Sequence, residues 1–242
     1  NLQDPQGQGE IVLLAKHTLG YKNLSKLLSK TLLEADAATE PACGLDDLAT
    51  YADGLLLLTG GALAGFVGGP AGDGRSALAL SRVRRLTEIM GDRVYIELQR
   101  HGLDVERSAE PHLLNIADQI NVPLVATNDC RFENAEMSQP HDTLVCIGTG
   151  RKVSEINRQR FSPNHYFKSA TEMAALFHDI PEAIENTISI ARRCSVMATL
   201  RDPILPKFES PEGRSEEDEL TVQAEAGLKE RLNRHVFEAG LS

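Results

Sequence analysis

Four short apolar runs punctuate the first half of the chain: Ile11-Val12-Leu13-Leu14, Leu55 to Leu58, Val94-Tyr95-Ile96-Glu97-Leu98 and Leu124-Val125-Ala126. They are nearly continuous, without the apolar–polar alternation of a half-solvated strand. That is the pattern of strands covered on both faces, as in a parallel sheet. Between them, apolar residues recur at helical spacing: Leu24, Leu27, Leu28 and Leu32, then Leu80, Val83, Leu86 and Met90, then Leu113, Ile116, Ala117 and Ile120. Strand alternating with helix predicts βα units around a parallel sheet or barrel, an α/β fold.

The second half turns helical. Ser169-Ala170-Thr171-Glu172 has the form of a capping box and predicts a helix to about Phe177. Asp179-Ile180-Pro181-Glu182 predicts another, with proline in the first turn and Ile184, Thr187, Ile188 and Ala191 as its buried stripe. From Arg201 to Gly213 helix breakers dominate, the composition of a linker, and Ser215 then caps a charged helix from Glu216 to about Asn233. The texture change puts a domain boundary near residue 206.

Composition narrows the class. No run approaches the roughly 18 apolar residues of a membrane span. The N-terminus, Asn1-Leu2-Gln3-Asp4-Pro5, has neither an initiator methionine nor the basic and apolar regions of a signal peptide, and reads as a cut inside a longer protein. Four widely spaced cysteines, Cys43, Cys130, Cys146 and Cys194, point to reduced thiols and a cytoplasmic location. A net charge of −10 argues against generic attraction to nucleic acid. The brief basic clusters (Arg82, Arg84, Arg85; Arg158, Arg160; Arg192, Arg193) read as solvated faces.

Chemistry in βα folds gathers on loops leaving the C-terminal ends of strands. Here these are Thr59-Gly60-Gly61, Gln99-Arg100-His101-Gly102 and Thr127-Asn128-Asp129-Cys130-Arg131. Asp129 could ligate a cation, but Asn128 and Asp129 are also what a following helix would use as its N-cap. His101 could be a ligand, acid or base, or a structural histidine. Pro140-His141-Asp142 lacks a matching ligand at helical spacing. The glycines at 60–69 have no Gly-Lys-Ser/Thr to make a phosphate loop, and neither a G-x-S-x-G nor an H-E-x-x-H motif occurs. No catalytic constellation is complete.

Ordered segments carry a resemblance. They are Tyr95 to Gly102, Pro123 to Asp129, Ala135 to Ile147 with Pro140-His141-Asp142, Phe167-Lys168-Ser169, Pro181 to Thr187 and Leu205-Pro206-Lys207-Phe208, with Leu13 to Lys16 and Gly20 to Leu24 nearer the start. Over residues 10 to 232 the sequence resembles the PHP (polymerase and histidinol phosphatase) domain of bacterial DNA polymerase III alpha subunits. The resemblance implies a partial PHP-type distorted (βα)7 barrel lacking its first strands, followed by a short helical segment. Residues 1–206 would be an N-terminally truncated PHP domain. Residues 207–242 would be a linker and the first helix of the polymerase palm.

The same resemblance implies that the family's first metal motifs lie before Asn1 and its palm carboxylates after Ser242. No catalytic residue is therefore expected here, and magnesium belongs to the parent polymerase. Where metal-competent members begin a strand with His, this sequence has Glu10; where they have Cys after Ser-Gly, it has Gly61; where they read Asn-Asp-x-His, it has Arg131 after Asp129. Asp129, Glu10, Gly61 and Arg131 are thus expected to form a vestigial, metal-free site, with Arg131 paired to Asp129 or Glu10. The expected partners are the proofreading exonuclease subunit, other subunits of the holoenzyme, and DNA through the parent protein, with no membrane. The error-prone paralogue of the alpha subunit fits as a variant. An active metal-dependent phosphoesterase or 3′–5′ exonuclease is the alternative, and a binding module unrelated to replication leaves the ordered segments unexplained. An exposed edge at Ile11–Leu14 would favour self-association of the segment.

Overall fold

The computed structural model describes residues 1–35, 40–200 and 202–234 and divides into two compact units, Asn1–Met197 and the chain from Ala198 onward. The tetra-leucine run forms β5 (Leu55–Leu58), buried at every position. Its period-two geometry sends Leu55 and Leu57 to one face and Leu56 and Leu58 to the other. The first pair joins the main core with Ile96, Leu98, Val83, Leu86, Leu113, Ile116 and Phe177. The second pair packs with Tyr95, Val125 and Ile190. Covering both faces needs helices on both sides, and the sequence supplies them.

In chain order the first unit contains β1 (Leu2–Asp4), β2 (Gly7–Gly9), β3 (Val12–Ala15), α1 (Thr18–Leu33), β4 (Cys43–Gly44), α2 (Leu45–Tyr51) and β5. These are followed by α3 (Gly68–Gly72), α4 (Ser76–Met90), β6 (Val94–Gln99), α5 (Asp104–Ile120), β7 (Leu124–Thr127), α6 (Ser138–Thr149), α7 (Ala170–Leu176) and α8 (Pro181–Arg193). One sheet has the order β2-β1-β4 and the other β3-β5-β6-β7. The α/β class is as expected. Among the described residues the larger sheet is open, ending at β3 and β7, and does not close into a barrel.

Strand β3 also runs against the expected direction. It pairs antiparallel to β5, with Val12 opposite Leu58 and Ala15 opposite Leu55, whereas β5, β6 and β7 are mutually parallel. An apolar run reports that a strand is covered and says nothing of its polarity. Here the chain between β3 and β5 is no simple crossover, because it passes through β4, which pairs with β1 in the other sheet.

The helices follow their stripes with three corrections. In α8 the buried residues are Ala183 and Ile190, while Ile188 and Ala191 of the expected stripe face solvent. In α1 the buried side is Gly20 and Leu27, while Leu28 and Leu32 face solvent. A Cβ on Gly20 would lie 1.9 Å from the carbonyl oxygen of Gly54, so glycine permits the close approach of α1 to the turn before β5. In α4, Arg82 is buried instead of solvated, and forks onto Asp4 with Nε and Nη2 each 2.8 Å from a carboxylate oxygen. Arg158 likewise buries its side chain and pairs with Asp142, and Arg193 pairs with Asp92. The capping box opens α7 as expected, Ser169 Oγ accepting from the Glu172 amide at 3.3 Å and the Ser169 amide donating to Glu172 at 2.8 Å.

In the second unit, α9 (Glu216–Leu232) follows Ser215, whose hydroxyl accepts from the Asp218 amide at 3.1 Å. Its first turn holds Glu216, Glu217, Asp218 and Glu219 and its last turn Lys229 and Arg231, complementing the helix dipole at both ends. Among the described residues no helix is long and apolar enough to cross a membrane.

Candidate functional site

Parallel β5, β6 and β7 bring their C-terminal ends to one margin of the sheet. Antiparallel β3 brings its N-terminal flank to the same margin: Glu10 is bridged to Gly65, its amide donating to Ala64 O and its carbonyl accepting from the Phe66 amide, both at 2.8 Å. The antiparallel turn of β3 is thus what gathers Glu10, Gly61 and Asp129, although Glu10 itself is exposed.

The centre of the cluster is a residue that none of the sequence motifs singles out. Glu97, on β6, is 4% exposed. Its Oε2 accepts from the Gly60 amide at 3.1 Å, and its Oε1 from the Thr127 hydroxyl at 2.5 Å and the Gln99 amide nitrogen at 3.0 Å. Burial pushes its carboxyl above the usual range, the three donors oppose this, and the charge of Asp129 adds to the upward push. A lone carboxylate inside the otherwise apolar run Val94–Leu98 was the signal available to find it.

Gly61 is where a side chain is missing. A Cβ there would lie 2.0 Å from Oε1 of Gln99, so the Gln99 side chain occupies the space a residue-61 side chain would need. Asp129 is partly exposed and engaged by Arg131, whose Nε and Nη2 lie 3.0 and 2.8 Å from Oδ2. The Asp129–Arg131 contact expected from the two-residue spacing is therefore present. The Arg131 guanidinium also lies 4.8 Å from the Phe161 ring centroid. The N-cap reading of Asn128 and Asp129 does not hold. Asn128 Nδ2 donates to Tyr166 O at 2.7 Å, and the turn of 3-10 helix at Ala135–Met137 is capped by Asn134. Neutral and acidic oxygens dominate this margin. Among the described residues no group of three or more His, Cys, Asp or Glu is placed to hold a metal ion.

His101 lies apart from this cluster and is not on an open loop. It is 1% exposed, its Nδ1 is 2.7 Å from Oε1 of Glu106, and its amide donates to Oε2 of the same carboxylate at 2.7 Å. Burial raises the Glu106 carboxyl, but the bonds from His101 and the Leu103 amide outweigh it, leaving it below the usual range. The His101 ring stacks on His165, centroids 3.9 Å apart and planes 10° from parallel. His141, in the Pro-His-Asp step, packs its ring against Phe132 and Phe161, while Asp142 holds Arg158.

Comparison with known proteins agrees with this architecture. Residues 2–101 match the PHP domain model. The DNA polymerase III subunit alpha of Caulobacter vibrioides is 45% identical over 92% of this chain and 19% of the relative. That of Pseudomonas aeruginosa is 39% identical over 91% of this chain and 19% of the relative, and that of Borreliella burgdorferi 38% over 83% and 18%. The chain thus spans about a fifth of the length of the relatives it matches. With a PHP match at its start and similarity along nine-tenths of its length, the chain belongs, as a PHP-bearing segment, to the family of bacterial DNA polymerase III alpha subunits.

Proposed function

We propose that this segment is the PHP scaffold of a DNA-directed DNA polymerase, and that it has lost metal-dependent phosphoester chemistry. The observation carrying this reading is the Arg131 guanidinium seated on Asp129 Oδ2 at 2.8 Å. A guanidinium stays charged at any working pH, so it supplies a cation's charge without a Lewis acid's open position. The remaining donors do not fit a metal either. Gly61 offers no side chain, its space is filled by Gln99, and the oxygens of Glu97 are already turned to three protein donors. A tight transition-metal site needs several deprotonated ligands converging on one point.

In this reading nucleotide addition belongs to palm carboxylates and magnesium elsewhere in the parent protein, with residues 1–206 as PHP domain and residues 207–242 leading into the palm. The parent works in the cytoplasm with a proofreading exonuclease subunit and other holoenzyme subunits, and it meets DNA mainly through other domains. The net charge of −10 supports that division of labour. Strands outside this segment would close the sheet at β3 into the family's barrel.

One observation favours the alternative of an active phosphoesterase or exonuclease. Glu97 is a buried carboxylate within reach of the charge of Asp129, a pair that a cation would stabilise. Metal analysis of the full-length protein separates the readings. Substoichiometric zinc and manganese is expected, whether or not Asp129 is replaced. One bound equivalent that is lost in Asp129→Ala would overturn the scaffold reading.

A further inference from the structure

Among the described residues, the one buried side-chain polar atom without a hydrogen-bond partner is Nε2 of His101. Glu106 is held ionised and can only accept, so the Nδ1 of His101 is the donor to it. The stacked partner is defined in the same way. The Ser162 hydroxyl donates its single proton to His101 O at 2.9 Å, so the Nδ1 of His165, 3.0 Å from that hydroxyl, is also the donor. Each ring thus spends Nδ1 on a hydrogen bond and has no partner at Nε2.

These rings fasten one stretch of chain to another. Ser162 and Asn164 both donate to the carbonyl of His101, and His165 stacks on its ring. The same stretch holds the loop after β7. The Arg131 amide donates to His165 O at 2.8 Å, the Phe167 amide to Phe132 O at 2.9 Å, and Phe161 lies under the Arg131 guanidinium.

We propose that the stacked His101–His165 pair is a proton-operated clasp, which holds residues 161–167 over the loop after β7 and releases them on acidification. A proton on either ring creates a cation face to face with the other imidazole, and on His101 it also makes a buried N–H with no acceptor. The Nε2 of His101 is buried, so water reaches it only if its cover opens. His165 already resists charging, through burial first and the neighbouring His101 second. The other charged groups facing the pair are Glu106 on α5, which partly offsets a cation, Asp129 and Arg131 on the loop after β7, and Lys168 beyond His165. His141 stands behind Phe161. A histidine whose pKa is depressed in the clasped form keeps the clasp fully stable above its open-form value. Stability is lost as pH falls below roughly 6.5.

Hydrogen exchange of the full-length protein, corrected for the intrinsic pH dependence of amide exchange, tests this between pH 7.5 and 5.5. Opening of residues 161–168 should rise several-fold, up to about tenfold for one histidine whose open-form pKa is about 6.5, with α4 unchanged. His165→Phe keeps an aromatic stack with one titrating ring fewer and should weaken the response, and His101→Phe is the reciprocal variant. Corrected exchange of the wild-type segment that stays level across this range would overturn the proposal. So would a full response persisting in either phenylalanine variant.

Discussion

Replacing Arg82 by methionine should be among the most damaging single changes to the first unit. The guanidinium is 4% exposed and its partner Asp4 10% exposed. It donates to Asp4 through Nε and Nη2, to Phe66 O at 2.7 Å and to Gly7 O at 3.1 Å, and it sits 4.0 Å from the Phe66 ring centroid. It thereby ties the β1–β2 hairpin and the loop after β5 to α4. Methionine keeps most of the apolar stem, so lost packing is a small part of the effect. What remains is a buried carboxylate held only by backbone N–H groups, and two carbonyls that have lost the guanidinium donor. Breaking a buried ion pair in this way costs about 3–5 kcal/mol. At about 2–4 °C per kcal/mol for a domain of this size, the midpoint should fall by roughly 6–20 °C. Asp4 sharpens the test. Burial raises its carboxyl, but Arg82 and the Gln6 and Gly7 backbone outweigh this and leave it below the usual range. Its contribution is therefore present above the unfolded pKa and lost as pH falls through the folded one, and Arg82→Met should lack that acid slope. The assay is exchange of the slowest α4 amides in the full-length protein, which reads global unfolding of this unit. In Asp4→Asn/Arg82→Met the loss should be smaller than the two single losses added together, since each substitution removes the same pair. An Arg82→Met effect below about 1 kcal/mol would refute the argument, because that is the range of an exposed pair.

The half-exposed Asp129–Arg131 pair supplies the contrast: Arg131→Ala should cost only about 0–1 kcal/mol by the same exchange measurement. Gly20→Ala should destabilise the first unit by several-fold more than an exposed helix substitution, because its Cβ meets backbone at Gly54; thermal unfolding that matches wild type would contradict the close approach of α1 to that turn. Ser169→Ala should cost about 1 kcal/mol, seen as faster exchange in α7, with no change at α4. Glu97→Gln tests the buried carboxyl through its pH dependence. A carboxylate raised by burial destabilises the fold as pH climbs from the unfolded pKa to the folded one, so wild type should lose stability relative to Glu97→Gln from about pH 4.5 upward and then level off. A difference independent of pH would place the raised value in doubt.

Much of the architecture was legible in the chain. Leu55–Leu58 reads as a strand covered on both sides, and the stripes of α4 and α5 and the boxes at Ser169 and Ser215 encode their elements locally. Of the two partners expected for Arg131, Asp129 or Glu10, the structure shows Asp129, two residues away. Everything that depended on distant partners was decided by the tertiary structure. The direction of β3, the burial of Arg82 against a residue 78 positions away, and the enclosure of Glu97 by Gly60, Gln99 and Thr127 are of this kind. So is the stacking of His101 on His165. Periodicity and propensity report how a residue sits on its own element, whereas polarity of pairing and satisfaction of a buried charge depend on which elements meet. That is why the strands and helices could be read from the sequence, while the groups gathered around its buried charges emerged only when the chain was folded.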